Sequence, residues 1–161
     1  FDEFRAHGTP EKRQNKEVEG EEGEEMRFED FFVGQCFSTN RRITSAMVDS
    51  FAELTGDRNP VHTDDEFARN SRFGRRIAHG MLSVGIISAI LGNEFPGPGS
   101  IYMKQEVKFL KPIFLEEEVR ISIEILEKIT EKKRLVVKTT VEKNDGEKAV
   151  DGEALLLFTG E

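Results

Sequence analysis

"HGMLSVGIISAILG", residues 79–92, is the stretch whose reading decides the fold. Between Met81 and Leu91 the hydroxyls of Ser83 and Ser88 are the only polar side-chain groups. Eleven residues are too few for a bilayer, which asks for roughly 20. The run therefore reads as a helix that is apolar all round and buried on most sides. Gly80 stands near its start and Gly92 near its end. Such a helix needs an apolar wrapping, and the rest of the chain must supply it.

The last 60 residues do so with a change of period. "IYMKQEVKF" (101–109) alternates, with Met103, Gln105, Val107 and Phe109 on one face. "VRISIEI" (119–125) places Val119, Ile121, Ile123 and Ile125 together. "RLVVKTTVE" (134–142) and "AVDGEALLLF" (149–158) are two further strands, joined through "KNDGEK", a hairpin turn signal. Upstream, residues 35–43 form a weak first strand. Thr44 or Ser45 can cap an amphipathic helix whose apolar surface includes Ala46, Val48, Phe51, Ala52 and Leu54, and Gly56 can stop it. Pro60 argues against continuing that helix, and Thr63 or Asp64 can start a short one toward Ala68. "NSRFGRR" is a polar connection and "FPGPG" a rigid turn. An antiparallel sheet curved around one central apolar helix satisfies all these patterns. The expected fold class is α+β, a single hot-dog fold. A small barrel without a central helix would leave Met81 to Leu91 uncovered.

The 161 residues carry a formal charge of −8. Residues 1–25 hold nine acidic and four basic side chains and lack apolar periodicity. Residues 1–27 are therefore expected to be an acidic, disordered arm, with the compact unit over 28–158 and a tail over 159–161. Met26 could serve as a natural start. No apolar secretion segment occurs in the arm, and it is too acidic for an ordinary mitochondrial presequence. No basic stripe suggests nucleic acid, and no segment suggests a membrane. The single Cys36 cannot make an intramolecular disulfide and is read as a small buried hydrophobe. A cytoplasmic location is expected.

Chemistry concentrates in "GDRNPVH" (56–62). Asp57 and His62 can hold one water between a carboxylate and an imidazole that titrates near neutrality. Asn59 and Pro60 can make the turn that brings them together. Gly-Asp-x-Asn-Pro is also ordinary turn chemistry, so spacing alone leaves both readings open. Gly80 adds a second feature. The first N–H groups of a helix lack intrahelical partners and favour negative charge, and glycine admits a close ligand. An oxyanion site and a mere easing of the chain into the helix both fit. Three histidines, one of them in the acidic arm, make a poor metal set, and no Gly-x-Gly-x-x-Gly follows a strand.

The segment from Phe51 to Ala68 closely resembles the signature of the MaoC-like, (R)-specific enoyl-CoA hydratases. The likeness includes Thr55, Gly56, Asp57, Asn59, Pro60 and His62, and continues through "HGML", Ser88, "GNEFPGPGSIY" and "VKFLKPIFLEEEV". It covers residues 28–158. It implies a hot-dog homodimer that reversibly hydrates a trans-2-enoyl thioester to the (R)-3-hydroxyacyl thioester. By this resemblance Asp57 and His62 are the catalytic pair and the Gly80 N–H is the oxyanion donor. Asn59 holds the loop, and Ser88 supports the site by hydrogen bonding. No cofactor or metal is implied; coenzyme A or acyl carrier protein is part of the substrate. Alternatives are a hot-dog acyl-thioester hydrolase and a non-catalytic thioester-binding or accessory protein.

Further expectations concern the surroundings of the pair. Phe67 and Phe73 are core or pocket wall, and His79 is a packed or hydrogen-bonded residue beside the entrance. Met81, Val84 and Ile87 are candidate walls of the acyl tunnel. Arg72, Arg75, Arg76, Lys104, Lys108 and Lys111 are cations that could meet a carrier's phosphates or acidic surface, though a solvated face is the default for each.

Overall fold

The computed structural model describes residues 26–160. The acidic arm expected over 1–27 lies, for residues 1–25, outside the described residues. After a short 3-10 turn at Phe28–Asp30 come β1 (Cys36–Ile43), α1 (Ser45–Thr55), α2 (Pro60–Thr63), α3 (Asp65–Asn70) and α4 (Gly80–Asn93). Then follow β2 (Ser100–Phe109), β3 (Glu117–Ile129), β4 (Arg134–Lys143) and β5 (Lys148–Phe158). The five strands form one antiparallel sheet in the order β1-β3-β4-β5-β2.

The face read from the sequence for β3 is the one that the fold buries. Val119, Ile121, Ile123 and Ile125 of β3 are buried, as are Leu135, Val137 and Val141 of β4 and Ala154, Leu156 and Phe158 of β5. Against them lie Leu82, Ile87, Ile90 and Leu91 of α4, in one contiguous core. Each fully buried Ile or Leu stabilises the fold by roughly 1.5–3 kcal/mol. This is the hot-dog arrangement of sheet and helix.

Three local readings are corrected. First, α4 is covered on one side only within this chain. Met81 is 56% exposed, and Gly85, Ser88 and Ala89 on the same face are exposed too. Second, a register shift between Tyr102 and Lys104 breaks the alternation of β2. Tyr102 thereby joins Gln105 and Val107 on the inner side, while Met103 is turned out and exposed. A bulge adds one residue to one strand, and the period-2 count slips by one at that point. Third, α1 buries Val48 and Ala52, with Met47 and Phe51 packed beside them, but leaves Ala46 and Leu54 exposed. As read from the sequence, α1 does not continue through Pro60; Pro60 in addition opens a new short helix. Asn59 caps α2 by accepting from the Val61 N–H at 3.3 Å, and Pro60 takes the first position, where its missing N–H costs nothing.

Candidate active site

The loop carrying Asp57 is built by caps. Gly56 ends α1 in the left-handed region at φ 76°, which a residue with a Cβ adopts only with strain. The Asp57 N–H donates to the Thr55 hydroxyl at 3.2 Å, and Asp57 Oδ1 accepts from the Asn59 N–H at 3.3 Å. Asn59 then starts α2, so its side chain serves the turn. The four residues of α2 carry the chain round to His62 in its last turn.

His62 is tied down by the segment that leads into α4. Its Nδ1 lies 2.8 Å from the Ile77 carbonyl. A carbonyl only accepts, so Nδ1 carries the proton and Nε2 keeps its lone pair. Arg76 donates to the His62 carbonyl and pairs with Asp49, and the Ile77 N–H donates to the Val61 carbonyl at 3.2 Å. The next residues continue the docking. His79, buried, donates from Nε2 to the Asp57 carbonyl at 3.0 Å, and its ring centroid is 4.0 Å from that of His62. Asp57, His62 and His79 each bring a polar atom within 4.8 Å of the others. They form a set that could hold a cation, but two of the four imidazole nitrogens already serve backbone carbonyls.

Gly80 is the first residue of α4, and no side chain caps that terminus. It lines a cavity of about 430 Å³ that also includes His62, Ser83, Phe109 and Ile113. The pocket thus joins an imidazole with a free lone pair, the first residue of a helix that no side chain caps, and an apolar wall. A developing negative charge at Gly80 would meet both the N–H and the positive end of α4.

Burial holds the His62 imidazole below its usual pKa, with smaller contributions in the same direction from His79 and Arg76. The Ile77 carbonyl and the Asp57 carboxylate oppose that shift without cancelling it. The neutral, proton-accepting form therefore persists to lower pH than in a free histidine, whose pKa is about 6.5. The acid limb of kcat/KM should have its midpoint below that value. Titration of the rate from pH 4.5 to 8 checks this, and a midpoint above 6.5 would contradict it. The same depression bears on stability. The unfolded chain takes up this proton first, so the contribution is complete above about 6.5 and is lost as pH falls toward the folded value.

The sequence-predicted residues divide. Asp57 approaches His62, and His62 lines the cavity with Gly80, whereas Asp57 and Asn59 stand in the exposed α1–α2 loop outside the cavity lining. Ser88 is on the exposed face of α4, two turns away from Gly80, whereas Ser83 is buried and lines the cavity. Of the expected walls, Met81 and Phe73 line the cavity, while Val84 and Ile87 do not. Phe67 is 51% exposed, which corrects its reading as core; it lines a separate surface pocket with Asp64 and Asn70, not the cavity at His62. Cys36 is exposed on β1, which corrects its reading as buried: it occupies an outward position of an edge strand. Among the cations, Arg72 and Lys111 line the cavity, and Lys111 also pairs with Glu147 at 3.4 Å. Arg76 is engaged with Asp49, Arg75 lies over the Phe114 ring and Lys104 pairs with Glu106.

Phe109 matters to this pocket without having been singled out for it. A Cβ built on Gly80 would lie 2.8 Å from its ring edge. The ring is half exposed and can swing aside. In Gly80→Ala it should move into the cavity or out to solvent and raise KM. Turnover should fall by less than about tenfold, because the backbone N–H survives; losing such a donor costs roughly 10²–10³. Steady-state kinetics check this split, and a kcat loss at unchanged KM would contradict it.

The profile of the family described as "MaoC like domain" matches residues 33–147. The chain is 43% identical over 131 residues to a 3-hydroxybutyryl-CoA dehydratase of Methylorubrum extorquens, covering 81% of this chain and 83% of that protein. Its fold is similar to an (R)-hydratase from Pseudomonas aeruginosa in the unliganded form, with TM-score 0.79 and 39% identity over 83% of this chain and 86% of that one. It is also similar to the (R)-hydratase from Aeromonas caviae involved in PHA biosynthesis, with TM-score 0.78 and 36% identity over 80% and 98% of the two chains. With a profile match across most of its length and relatives this similar over most of theirs, the chain belongs to the MaoC-like domain family.

Proposed function

We propose that this chain is an (R)-specific enoyl-thioester hydratase that also runs the reverse dehydration. The observation that carries the reading is His62, locked as the Nδ1–H tautomer by the Ile77 carbonyl, with Nε2 left free beside the cavity that begins at Gly80. The thioester oxygen lies at the Gly80 N–H and draws density from the C2–C3 double bond. A water held between Asp57 and His62 gives a proton to His62 Nε2 as its oxygen bonds to C3. The enolate charge settles on the thioester oxygen. C2 then takes the proton back from His62, which restores the free base. Both new bonds form on the face presented to the pair, which makes the addition syn. The acyl tail runs along the apolar wall and the carrier, coenzyme A or acyl carrier protein, stays outside.

Crotonyl-CoA is the test substrate. Loss of enoyl absorbance without free thiol, with an (R)-3-hydroxybutyryl product, is expected. Release of thiol would make the protein a thioesterase. Binding without turnover of either carrier's thioester would make it an accessory protein.

The functional unit is a homodimer of compact units spanning residues 28–158, working in the cytoplasm. Two features support pairing. The exposed face of α4 carries Met81, Gly85 and Ala89, and β2 is an edge strand with Ile101 and Met103 exposed. Edge strands and bare apolar faces are normally covered. Sedimentation at micromolar concentration should give about twice the mass of one chain. A fully active monomer would refute the need for pairing. Among the described residues no helix is long and apolar enough to cross a membrane.

A further inference from the structure

Asp57 sits in an exposed loop. Residues 53–60 are all exposed, and the other bonds of Asp57 run to Thr55 and Asn59, its own loop neighbours. Among the described residues, its one hydrogen bond outside that loop is made by His79, 22 residues on. His79 is 2% exposed and stands immediately before Gly80. The Asp57 carbonyl only accepts, so His79 carries its proton on Nε2. That leaves Nδ1 with a lone pair, buried and without a partner. Buried polar atoms are nearly always satisfied. An apolar ring would pack between Phe51 and His62 without that orphan nitrogen, since the ring centroids lie at 4.8 and 4.0 Å. Packing therefore does not account for an imidazole here, whereas the bond to Asp57 does. A proton-carrying role does not fit either: one nitrogen is engaged and the other is sealed from solvent.

We propose that His79 is the positioning residue of the catalytic pair, its Nε2–H pinning the Asp57 main chain to the first turn of α4. One imidazole thereby registers the carboxylate against both His62, on which its ring rests, and Gly80, its neighbour in the chain. The three parts of the site then hold a common frame although they come from separate elements. The catalytic half of this inference rests on the hydratase reading; the hydrogen bond does not.

Two variants and one spectrum test it. His79→Phe keeps the ring and loses the N–H, while His79→Gln keeps an N–H donor at the same reach and loses the ring. Both are first checked for folding by circular dichroism melts. In wild type, 15N imidazole shifts should show His79 as the Nε2–H tautomer; the opposite tautomer overturns the proposal whether or not the protein hydrates crotonyl-CoA. In kinetics, His79→Phe should lower kcat about tenfold or more with KM within about twofold, as small misplacements of reacting groups do. His79→Gln should recover most of that loss. A folded His79→Phe protein with wild-type kcat overturns it, and so does a Gln variant as poor as the Phe variant. If His79→Phe does not fold, the spectrum and the Gln variant still decide. Failure of wild type to hydrate either carrier's thioester would instead overturn the hydratase reading and leave the tautomer result standing.

Discussion

Asp57→Asn and His62→Gln should each lower turnover by roughly 10²-fold or more, the scale of a positioned proton carrier. That corresponds to about 2.7 kcal/mol or more of transition-state stabilisation. Asn keeps the size of Asp57 and its acceptor for the Asn59 N–H, so the loop should survive and only the negative charge is lost. Gln at position 62 can still donate toward the Ile77 carbonyl but has no lone-pair nitrogen to accept a proton. Thioester binding should change much less, because the apolar wall and the Gly80 N–H are untouched. The two losses should not add in the double variant, since both groups act on one water. Stopped-flow or steady-state hydration of crotonyl-CoA measures all three proteins. Folded single variants that hydrate at the wild-type rate would reduce the motif to a turn.

The second large effect concerns stability. Gly152 lies inside β5, opposite Thr139 of β4 and Val107 of β2. A Cβ there would come within 2.3 Å of the Glu106 carbonyl oxygen and 2.5 Å of Gln105 Nε2. The missing side chain is where the Gln105 amide sits, donating to the Glu106 carbonyl at 2.7 Å and to Thr139 Oγ1 at 3.0 Å. Gly152→Ala must expel that amide or push β2 off β5. Overpacking of this kind costs about 1–3 kcal/mol. The upper end applies here because one obstacle is backbone, and about 3 kcal/mol lowers Tm by roughly 6–12 °C in a chain of this size. Differential scanning calorimetry reads the shift. An unchanged Tm would mean that β2 has room to yield, and would remove Gln105 as the reason for glycine at this position.

What was legible in the sequence was periodic or local. Alternation in β3 named its buried face, because a pleated strand sends every second side chain to the same side whatever it packs against. Thr44, Gly56 and Asp64 marked helix ends through short-range caps. The family signature brought out Asp57, His62 and Gly80 together. Asn59 and Pro60 were equally local: α1 stops before Pro60 as read, while the short helix that Pro60 begins shows only in the following turn. Tertiary structure decided the rest, for three physical reasons. A helix as uniformly apolar as α4 has no polar side to say which way it faces, so sequence could not tell that Ser83 points to the cavity and Ser88 to the open face. A bulge leaves no mark of its own in an alternating pattern, so Tyr102 and Met103 exchanged sides unseen. And the bond from His79 to Asp57 joins positions 22 residues apart, where no periodicity reaches; it exists because the fold seats the start of α4 beneath the α1–α2 loop.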